Sequence, residues 1–297
     1  MSLTRRRFLT ITAAALASPA QAAPARWRGF AMGAEISLTL HASEDVAKIA
    51  LLQVKKRLWQ VENLFSLYDP NSALSQLNTE GTLPDPHPFF IDLLRLCKQA
   101  HEATDGVFDP TIQPLWQAVA TGTPTGSARA AIGWGRVQIN NPVRLDHGQA
   151  LSLNGIAQGY ATDLIREDLT NLGLEMALIN IGEFAALGGP FRLGIADPVH
   201  GLFATRQLNN NAIATSSPAV LPLGDHTHIL FPDRCPQWSS VSVEAPNAAT
   251  ADALSTAFSL MTVDEIRQAS LRLPIRTRTT LLAENGDIST IQGRSGA

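Results

Sequence analysis

Apolar residues recur every three to four positions in several stretches of the chain, the spacing that buries one face of a helix. Each stretch has a capping residue or a proline at its start, or a glycine near its end, and these set its approximate bounds. The predicted helices are 44–65 after the N-cap Ser43, 89–104, 156–172, about 247–260, and one that opens at the capping box Thr262-Val263-Asp264-Glu265.

Short apolar runs between turn residues predict strands. They lie at 31–41, 137–139, 144–145, 151–153, 176–179, 191–195, 202–208, 212–215, 227–230 and 240–243. A Gly, Pro, Ser and Thr stretch at 121–127 predicts a loop. The dipeptide Asn285-Gly286 predicts the turn of a hairpin between 279–283 and 288–290. Because helices and strands are mixed without strict alternation, the pattern predicts an α+β fold rather than a doubly wound sheet.

The first residues have the three-part pattern of a signal peptide. The run Arg5-Arg6-Arg7 precedes a mostly apolar stretch, and the small residues Ala20-Gln21-Ala22 follow it. Paired arginines at this place indicate export by the twin-arginine route. The alternative is a short membrane anchor, but the apolar stretch is well short of the roughly 20 residues that span a bilayer. We therefore predict a signal peptide at 1–22 and a periplasmic domain at 23–297.

Charge and cysteine content narrow the class of partner. The signal peptide carries three arginines and no acid, so its removal takes the net charge from −3 to −6. An acidic protein is a poor match for nucleic acid or anionic lipid as a main partner.

The chain has two cysteines, Cys97 and Cys235. Cys97 lies in an apolar helical pattern and is predicted to be core. Pairing with Cys235 is possible in the periplasm, but two cysteines make no disulfide framework.

Two polar segments adjoin predicted helix ends. In the segment 106–115, two prolines, Asp109 and Thr111 indicate a rigid loop that could face a ligand, or a plain helix stop in which Asp109 is a cap. The segment 151–163 passes through Asn154-Gly155 into a helix start. Free amides in a first helical turn suit phosphate, although an ordinary tight turn is the commoner interpretation.

Three further groups are candidates for chemistry. Asp252 and Thr256 are four positions apart on one face of a helix of small residues, where they could hold Mg²⁺, or could simply cap and bond to the helix backbone. His226 and His228 share one face of a predicted strand. Without a third ligand pattern, a single His acting as acid or base is favoured over zinc. The hydroxyl-rich turn 214–218 serves a phosphate or a cap equally well.

Taken together and in this order, the segments resemble the ApbE family of FAD:protein FMN transferases, over nearly the whole mature chain. This resemblance implies an α+β fold of mixed, largely antiparallel sheets with packed helices. The matching segments are Met32-Gly33, 65–78, 106–115, 154–163, Asn180-Ile181-Gly182, Ala214-Thr215-Ser216, His228-Ile229 and 251–257.

The reaction that the resemblance implies is cleavage of FAD, transfer of FMN to a Thr or Ser hydroxyl of a partner protein, and release of AMP. The implied partners are FAD and a periplasm-facing, flavin-accepting subunit of a membrane electron-transfer complex. Mg²⁺ would be held by Gly155, Asp252 and Thr256, and His228, with His226 as fallback, would assist proton transfer. The positions that fall on family FAD contacts or their neighbours are Met32, Tyr68, Val107, Phe108, Asp109, Ser152, Gln158 and Ile229.

Departures from the family pattern remove charge from the expected nucleotide site. Ser152 stands where Asp is common, Gln158 where Lys or Glu is common, and Phe231 where an Asp follows the His-Ile pair. The helix with Asp252 and Thr256 is intact. Two alternatives therefore stay open beside the transferase: a periplasmic protein that binds and delivers FAD without catalysis, and a FAD pyrophosphatase that uses water instead of the acceptor hydroxyl.

Overall fold

The computed structural model describes residues 24–293, so the predicted signal peptide lies outside the described residues. No helix within 24–293 combines the length and the apolar character needed to cross a membrane. In this range the helices are α1 Glu44–Phe65, α2 Ala73–Glu80, α3 Pro88–Ala103, α4 Gln113–Thr121, α5 Gly126–Ala131, α6 Ala157–Asn171, α7 Ala248–Phe258 and α8 Val263–Arg272.

The strands in the same range are mostly short. They are β1 Ala25–Ala31, β2 Ala34–Leu40, β3 Thr82–Leu83, β4 Val143–Arg144, β5 Ala177–Asn180, β6 Phe184–Leu187, β7 Phe191–Asp197, β8 Gly201–Leu208, β9 Ala212–Ser216, β10 Pro222–Leu223, β11 His226–Thr227, β12 Ser240–Ala245, β13 Arg278–Leu282 and β14 Ile288–Gln292. Eight of them form one sheet in the order β1-β2-β5-β6-β9-β12-β13-β14, and every neighbouring pair is antiparallel. The predicted α+β fold with largely antiparallel sheets is confirmed.

The two faces of the central strands are covered by different elements. Alternate residues such as Ala177 and Ile179 pack with α1, α3, α6 and α7 in the main core. The intervening Leu178 packs instead with Phe191 and Leu193 of the β7–β8 ribbon. Because side chains alternate across a strand, burial on both faces explains why these strands are apolar throughout.

Several predicted elements keep their bounds and caps. Helix α1 spans 44–65, and the Ser43 hydroxyl accepts from the Val46 amide. The capping box of Thr262 and Glu265 opens α8. The terminal hairpin pairs β13 with β14 across Asn285-Gly286. Cys97 is buried and Cys235 exposed, and neither forms a disulfide.

The single strand predicted at 31–41 is wrong, because the chain reverses at Met32-Gly33 and forms the β1–β2 hairpin. Both turn residues have positive φ, 51° at Met32 and 73° at Gly33. Such turns favour Asn or Gly at the first position, and Met there carries no turn signal.

The strand predicted at 151–153 is also wrong. The Leu151 amide donates to the side-chain oxygen of Asn78 at 2.7 Å, and the Ser152 amide donates to the Pro110 carbonyl at 2.8 Å. These extended residues therefore have side-chain and loop partners instead of a neighbouring strand. At 227–230 the strand ends at Thr227, and at 137–139 only one isolated bridge, Gln138 to Arg144, forms.

Short elements were missed because they carry too few residues for a clear period. The helices α2, α4 and α5 and the strand β6 lie in regions without a predicted element. The loop predicted at 121–127 is shorter than expected, since α4 ends at Thr121 and α5 begins at Gly126.

Candidate functional site

Helices α6 and α7 meet at small residues, and this contact brings the predicted metal ligands together. The Gly159 amide of α6 donates to Oδ2 of Asp252 on α7 at 3.0 Å. A Cβ at Gly159 would collide with the Ala248 carbonyl, so only glycine lets the helices approach this closely. Asp252 is 4% exposed. Because its carboxylate accepts from the Gly159 amide, it faces the start of α6.

Thr256 lies one helical turn beyond Asp252 and faces Gly155. An ideal Cβ on Gly155 would stand 3.0 Å from the Thr256 hydroxyl oxygen, which shows that the side chain of one residue lies directly on the backbone of the other. We call Gly155, Gly159, Asp252 and Thr256 the helix junction.

The structural alternatives for Asp252 and Thr256 do not describe what the two residues do. The start of α7 is capped by Asn247, not by Asp252. Five other threonines bond to the carbonyl four residues earlier: Thr79, Thr104, Thr121, Thr162 and Thr170. Within residues 24–293 the Thr256 hydroxyl forms no such bond. The Asp252 carboxylate instead meets the Gly159 amide of α6, and the Thr256 side chain meets Gly155 in the turn before α6.

The donor set of the helix junction suits a hard cation. A carbonyl oxygen, a carboxylate and a hydroxyl are the oxygen ligands that Mg²⁺ accepts, usually together with water and substrate phosphate. No cluster of three His, Cys, Asp or Glu side chains able to hold a metal occurs between residues 24 and 293. The junction supplies only one such side chain, so its fit to Mg²⁺ depends on the two neutral oxygen donors.

The Met32 turn is fixed from both sides by polar side chains. Its amide donates to Oε1 of Glu62 at 2.9 Å, and its carbonyl accepts from Nε2 of Gln158 at 3.3 Å. The Gln158 amide group also lies where a Cβ of Gly182 would stand. Two predicted FAD contacts, Met32 and Gln158, are thus brought together with the Asn180-Ile181-Gly182 segment. A positive φ at a non-glycine residue is costly, and it is sustained here by these two bonds.

Three other predicted residues are not part of the helix junction, and we call Tyr68, His226 and His228 the outer rim. Tyr68 follows α1 and is 82% exposed. His226 is exposed on β11, and His228 is half-buried just after it. The His228 amide donates to the Leu221 carbonyl at 3.0 Å, and its carbonyl accepts from the Trp116 indole at 3.2 Å. The neighbouring Ile229 is buried in the main core.

The rigid loop predicted at 106–115 is shorter than expected, because a 3-10 turn forms at Pro110–Ile112 and α4 begins at Gln113. Asp109 accepts from the Thr111 amide at 2.8 Å, the Thr111 hydroxyl at 2.6 Å and the Trp134 amide at 3.2 Å. The side chains of Val107 and Phe108 are buried in the main core. The loop is joined to Ser152 through the Pro110 carbonyl. These contacts give Asp109 a structural role, and its contact with FAD stays a prediction, as do those of Val107, Phe108, Ser152 and Ile229.

Comparison with known proteins places this arrangement in one family. The model of the ApbE family matches residues 32–275, which include the Met32 turn and the whole helix junction. The chain belongs to the ApbE family.

Two relatives of the chain have the same name, FAD:protein FMN transferase. The chain is 27% identical over 209 residues to the FAD:protein FMN transferase of Klebsiella pneumoniae, covering 62% of this chain and 63% of the relative, so the match spans less than two thirds of that protein. It is 22% identical over 275 residues to the Haemophilus influenzae protein of the same name, covering 80% of each.

Solved structures of the family share the fold. The flavinyl transferase ApbE of Pseudomonas stutzeri has a TM-score of 0.78 at 23% identity, over 91% of this chain and 94% of that one. The flavin transferase ApbE of Vibrio cholerae has a TM-score of 0.77 at 21% identity, over 92% and 98%.

The ApbE-like site contains polar residues to which the sequence alone assigns no role. Glu62 holds the Met32 turn, and Oε2 of Glu183 accepts from the Thr215 amide at 3.2 Å. Asp163 accepts from the first two amides of α7. Burial raises the pKa of Asp163, while those two amides and Arg166 lower it. Glu62 and Asp163 each bond across 30 positions or more, and such partners have no signal in local spacing.

Proposed function

We propose that this chain is a FAD:protein FMN transferase that uses Mg²⁺. The observation that carries the proposal is the helix junction, where a buried carboxylate of α7 faces the Gly159 amide of α6 and a threonine hydroxyl of α7 faces Gly155, in the turn just before α6. Its support from outside the chain is membership of a family whose named relatives are FAD:protein FMN transferases.

In this proposal, different residues bind the metal and the FAD. Gly155, Asp252 and Thr256 hold Mg²⁺ through oxygen atoms. When bound, the cation neutralises charge on the FAD pyrophosphate. The Met32 turn and Tyr68 hold FAD, with Gln158 keeping the turn in place.

The chemical step is one substitution at phosphorus. The oxygen of the acceptor Thr or Ser hydroxyl forms a bond to the FMN phosphorus, and the bond from that phosphorus to the AMP phosphate oxygen breaks. The hydroxyl proton passes to an imidazole nitrogen of His228, and AMP leaves with the bonding electron pair. A positioned base and an oriented nucleophile are the contributions expected of protein side chains in phosphoryl transfer.

Location and acceptor belong to the same proposal. The twin-arginine pattern at Arg5-Arg6 supports export of a folded protein to the periplasm. The acceptor is then a periplasm-facing flavin-bearing subunit of a membrane electron-transfer complex. Replacement of both Arg5 and Arg6 by Lys should leave the protein in the cytoplasmic fraction, and unchanged export would contradict this part.

One assay separates the three candidate activities. Mature protein is incubated with FAD, Mg²⁺ and a flavin-acceptor domain, and AMP and a fluorescent covalent band are measured. Both products support the transferase. AMP and free FMN without a labelled band support the pyrophosphatase, and FAD binding without AMP supports the delivery protein. Either of the last two results, or activity that persists in Asp252→Ala, overturns the transferase proposal.

A further inference from the structure

We infer that Asp163 is a positioning residue for the metal site, because its carboxylate fixes the start of α7 against α6. This inference rests on the proposed function, since it concerns the placement of Asp252 and Thr256 relative to Gly155. Asp163 itself is not placed among the metal ligands.

The first-turn amides of α7 are all satisfied, and Asp163 takes two of them. The Ala248 amide donates to Oδ1 of Asp163 at 2.9 Å and the Ala249 amide donates to Oδ2 at 2.8 Å. The next amide, of Thr250, donates to the Asn247 side chain at 2.8 Å, and that of Ala251 to the Asn247 carbonyl. The local cap therefore supplies half of the bonds, and a residue of another helix supplies the rest.

The same face of α6 holds α7 at three successive levels. Gly159, Asp163 and Arg166 are spaced by four and three positions, so they share one helix face. Gly159 bonds to Asp252, Asp163 bonds to the start of α7, and Arg166 donates to the Pro246 carbonyl at 3.0 Å. Arg166 also donates to Oδ1 of Asp163 at 3.1 Å, which steadies the carboxylate.

A change at the cap reaches the metal ligands because α7 is a short, continuous helix. At about 1.5 Å per residue, Asp252 lies about 6 Å and Thr256 about 12 Å along the axis from Ala248. The bond from the Gly159 amide to Oδ2 of Asp252 is 3.0 Å long, so a shift of about 1 Å at the start of α7 would break it and would move Thr256 relative to Gly155.

Both oxygens of the Asp163 carboxylate are needed to hold the start of α7. Each of its two oxygens receives one amide, and a negative charge suits the positive end of a helix. In Asp163→Asn one oxygen becomes an NH₂ group that faces an amide donor. One bond is lost and a repulsive contact is added, with almost no change in side-chain volume.

A matched control lies on the same helix. Asp168 is also buried and accepts two bonds, from Nε and Nη2 of Arg57 at 2.8 and 2.7 Å. Those bonds connect α6 to α1 instead of α7. Asp168→Asn should therefore lower overall stability without moving the start of α7.

The experiment compares wild type, Asp163→Asn and Asp168→Asn by two readouts that do not depend on turnover. Native-state hydrogen exchange follows the amides of residues 248–252, and electron paramagnetic resonance measures binding of Mn²⁺ as a probe for the cation. In Asp163→Asn we expect lost protection confined to α7, beyond any loss in overall stability, and roughly ten- to a hundredfold weaker Mn²⁺ binding. In Asp168→Asn, protection of residues 248–252 should fall no more than protection in the rest of the protein, and Mn²⁺ binding should stay within about twofold of wild type.

Unchanged protection of 248–252 in Asp163→Asn overturns the inference, and so does Mn²⁺ binding weakened equally in the two variants. A wild-type protein that binds no Mn²⁺ contradicts the metal site of the proposed function and with it the role of Asp163 there. Failure of the proposed metal site can be told from failure of the inference about Asp163, because in the first case Asp163→Asn would still lose protection in α7.

Discussion

The helix junction and the outer rim are built in different ways. At the junction, α7 is in direct contact with α6 and with the turn before it, and a single added methyl group has no room at Gly159. At the rim, Tyr68 is almost fully exposed and His226 and His228 lie at the end of a two-residue strand. The junction therefore has a fixed geometry, whereas the exposed side chains of Tyr68 and His226 at the rim can adjust to a ligand or a partner.

This difference predicts how mutations should separate. Changes at the junction should affect stability and catalysis together, since the same contacts hold the fold and aim the ligands. At the rim, changes at the exposed Tyr68 and His226 should affect substrate binding with little loss of stability, and a change at His228 should lower the rate of transfer, because that imidazole is the proposed proton acceptor. If variants at the junction and variants at the rim changed stability and activity to the same extent, the distinction between the two regions would be wrong.

The largest effect is expected for Asp252→Ala. It removes the one carboxylate of the proposed metal site, so we expect FAD-dependent AMP release to fall at least roughly hundredfold, since loss of a residue behind the ligands already costs 10–100-fold at metal sites. The matched control is Asp264→Ala, an exposed carboxylate of α8 that pairs with Arg267. Equal activity in the two variants would break the comparison.

A large effect on stability is expected for Gly159→Ala. The new Cβ would meet the backbone of Ala248 and Ala249, which cannot move aside as a side chain can. We expect unfolding by denaturant to show a loss of about 1–3 kcal/mol. Gly126→Ala is the control, because nothing lies within 4 Å of its Cβ, and it should change stability by less than about 0.5 kcal/mol. Similar values for both would show that the junction is not tightly packed.

A moderate effect is expected at the rim for Tyr68→Ala. An aromatic contact with flavin worth about 0.5–1.5 kcal/mol predicts a rise in KM for FAD of about two- to tenfold. The melting temperature should not change, because the side chain is exposed. Tyr68→Phe keeps the ring and should restore the KM. A lower melting temperature with an unchanged KM would assign Tyr68 a structural role instead.

The smallest effect concerns an ion pair outside both regions, and it sets a baseline for the other variants. Arg234 and the Thr262 amide hold the pKa of Glu265 at about 2, below its ordinary value of 4.5. The stabilisation from the ionised form is therefore present above about pH 4.5 and is lost as the pH falls toward 2. The stability difference between wild type and Glu265→Gln should stay below about 1 kcal/mol and shrink over that range. A difference that does not depend on pH would contradict this origin.

The fold was predictable where local spacing and burial agree. Helix α1, the capping box of α8 and the terminal hairpin carry their signals within a few residues. The Met32 turn carried none, because its positive φ is sustained by Glu62 and Gln158 from other parts of the chain. The extended residues 151–153 pair with Asn78 and Pro110, which no strand pattern foretells.

In the candidate site too, the features set by local spacing were predictable and those set by long-range contacts were not. The spacing of Asp252 and Thr256 predicts that they share one helix face, but their contacts with Gly159 and Gly155 depend on the close approach of α7 to α6. Asp163 ends the candidate segment 151–163, yet its bonds to Ala248 and Ala249 cross 85 and 86 positions. Long-range bonds of this kind follow from the packed fold, and single-sequence patterns do not contain them.

The most direct test of this account is to locate the cation itself. Crystals of the mature protein grown with Mn²⁺ and measured at a wavelength with strong manganese anomalous scattering should show one peak at the helix junction, bounded by the Gly155 carbonyl, the Asp252 carboxylate and the Thr256 hydroxyl. The peak should be absent in Asp252→Ala. A peak elsewhere, or none at the junction while the same preparation releases AMP from FAD, would contradict the central claim that this junction holds the metal for flavin transfer.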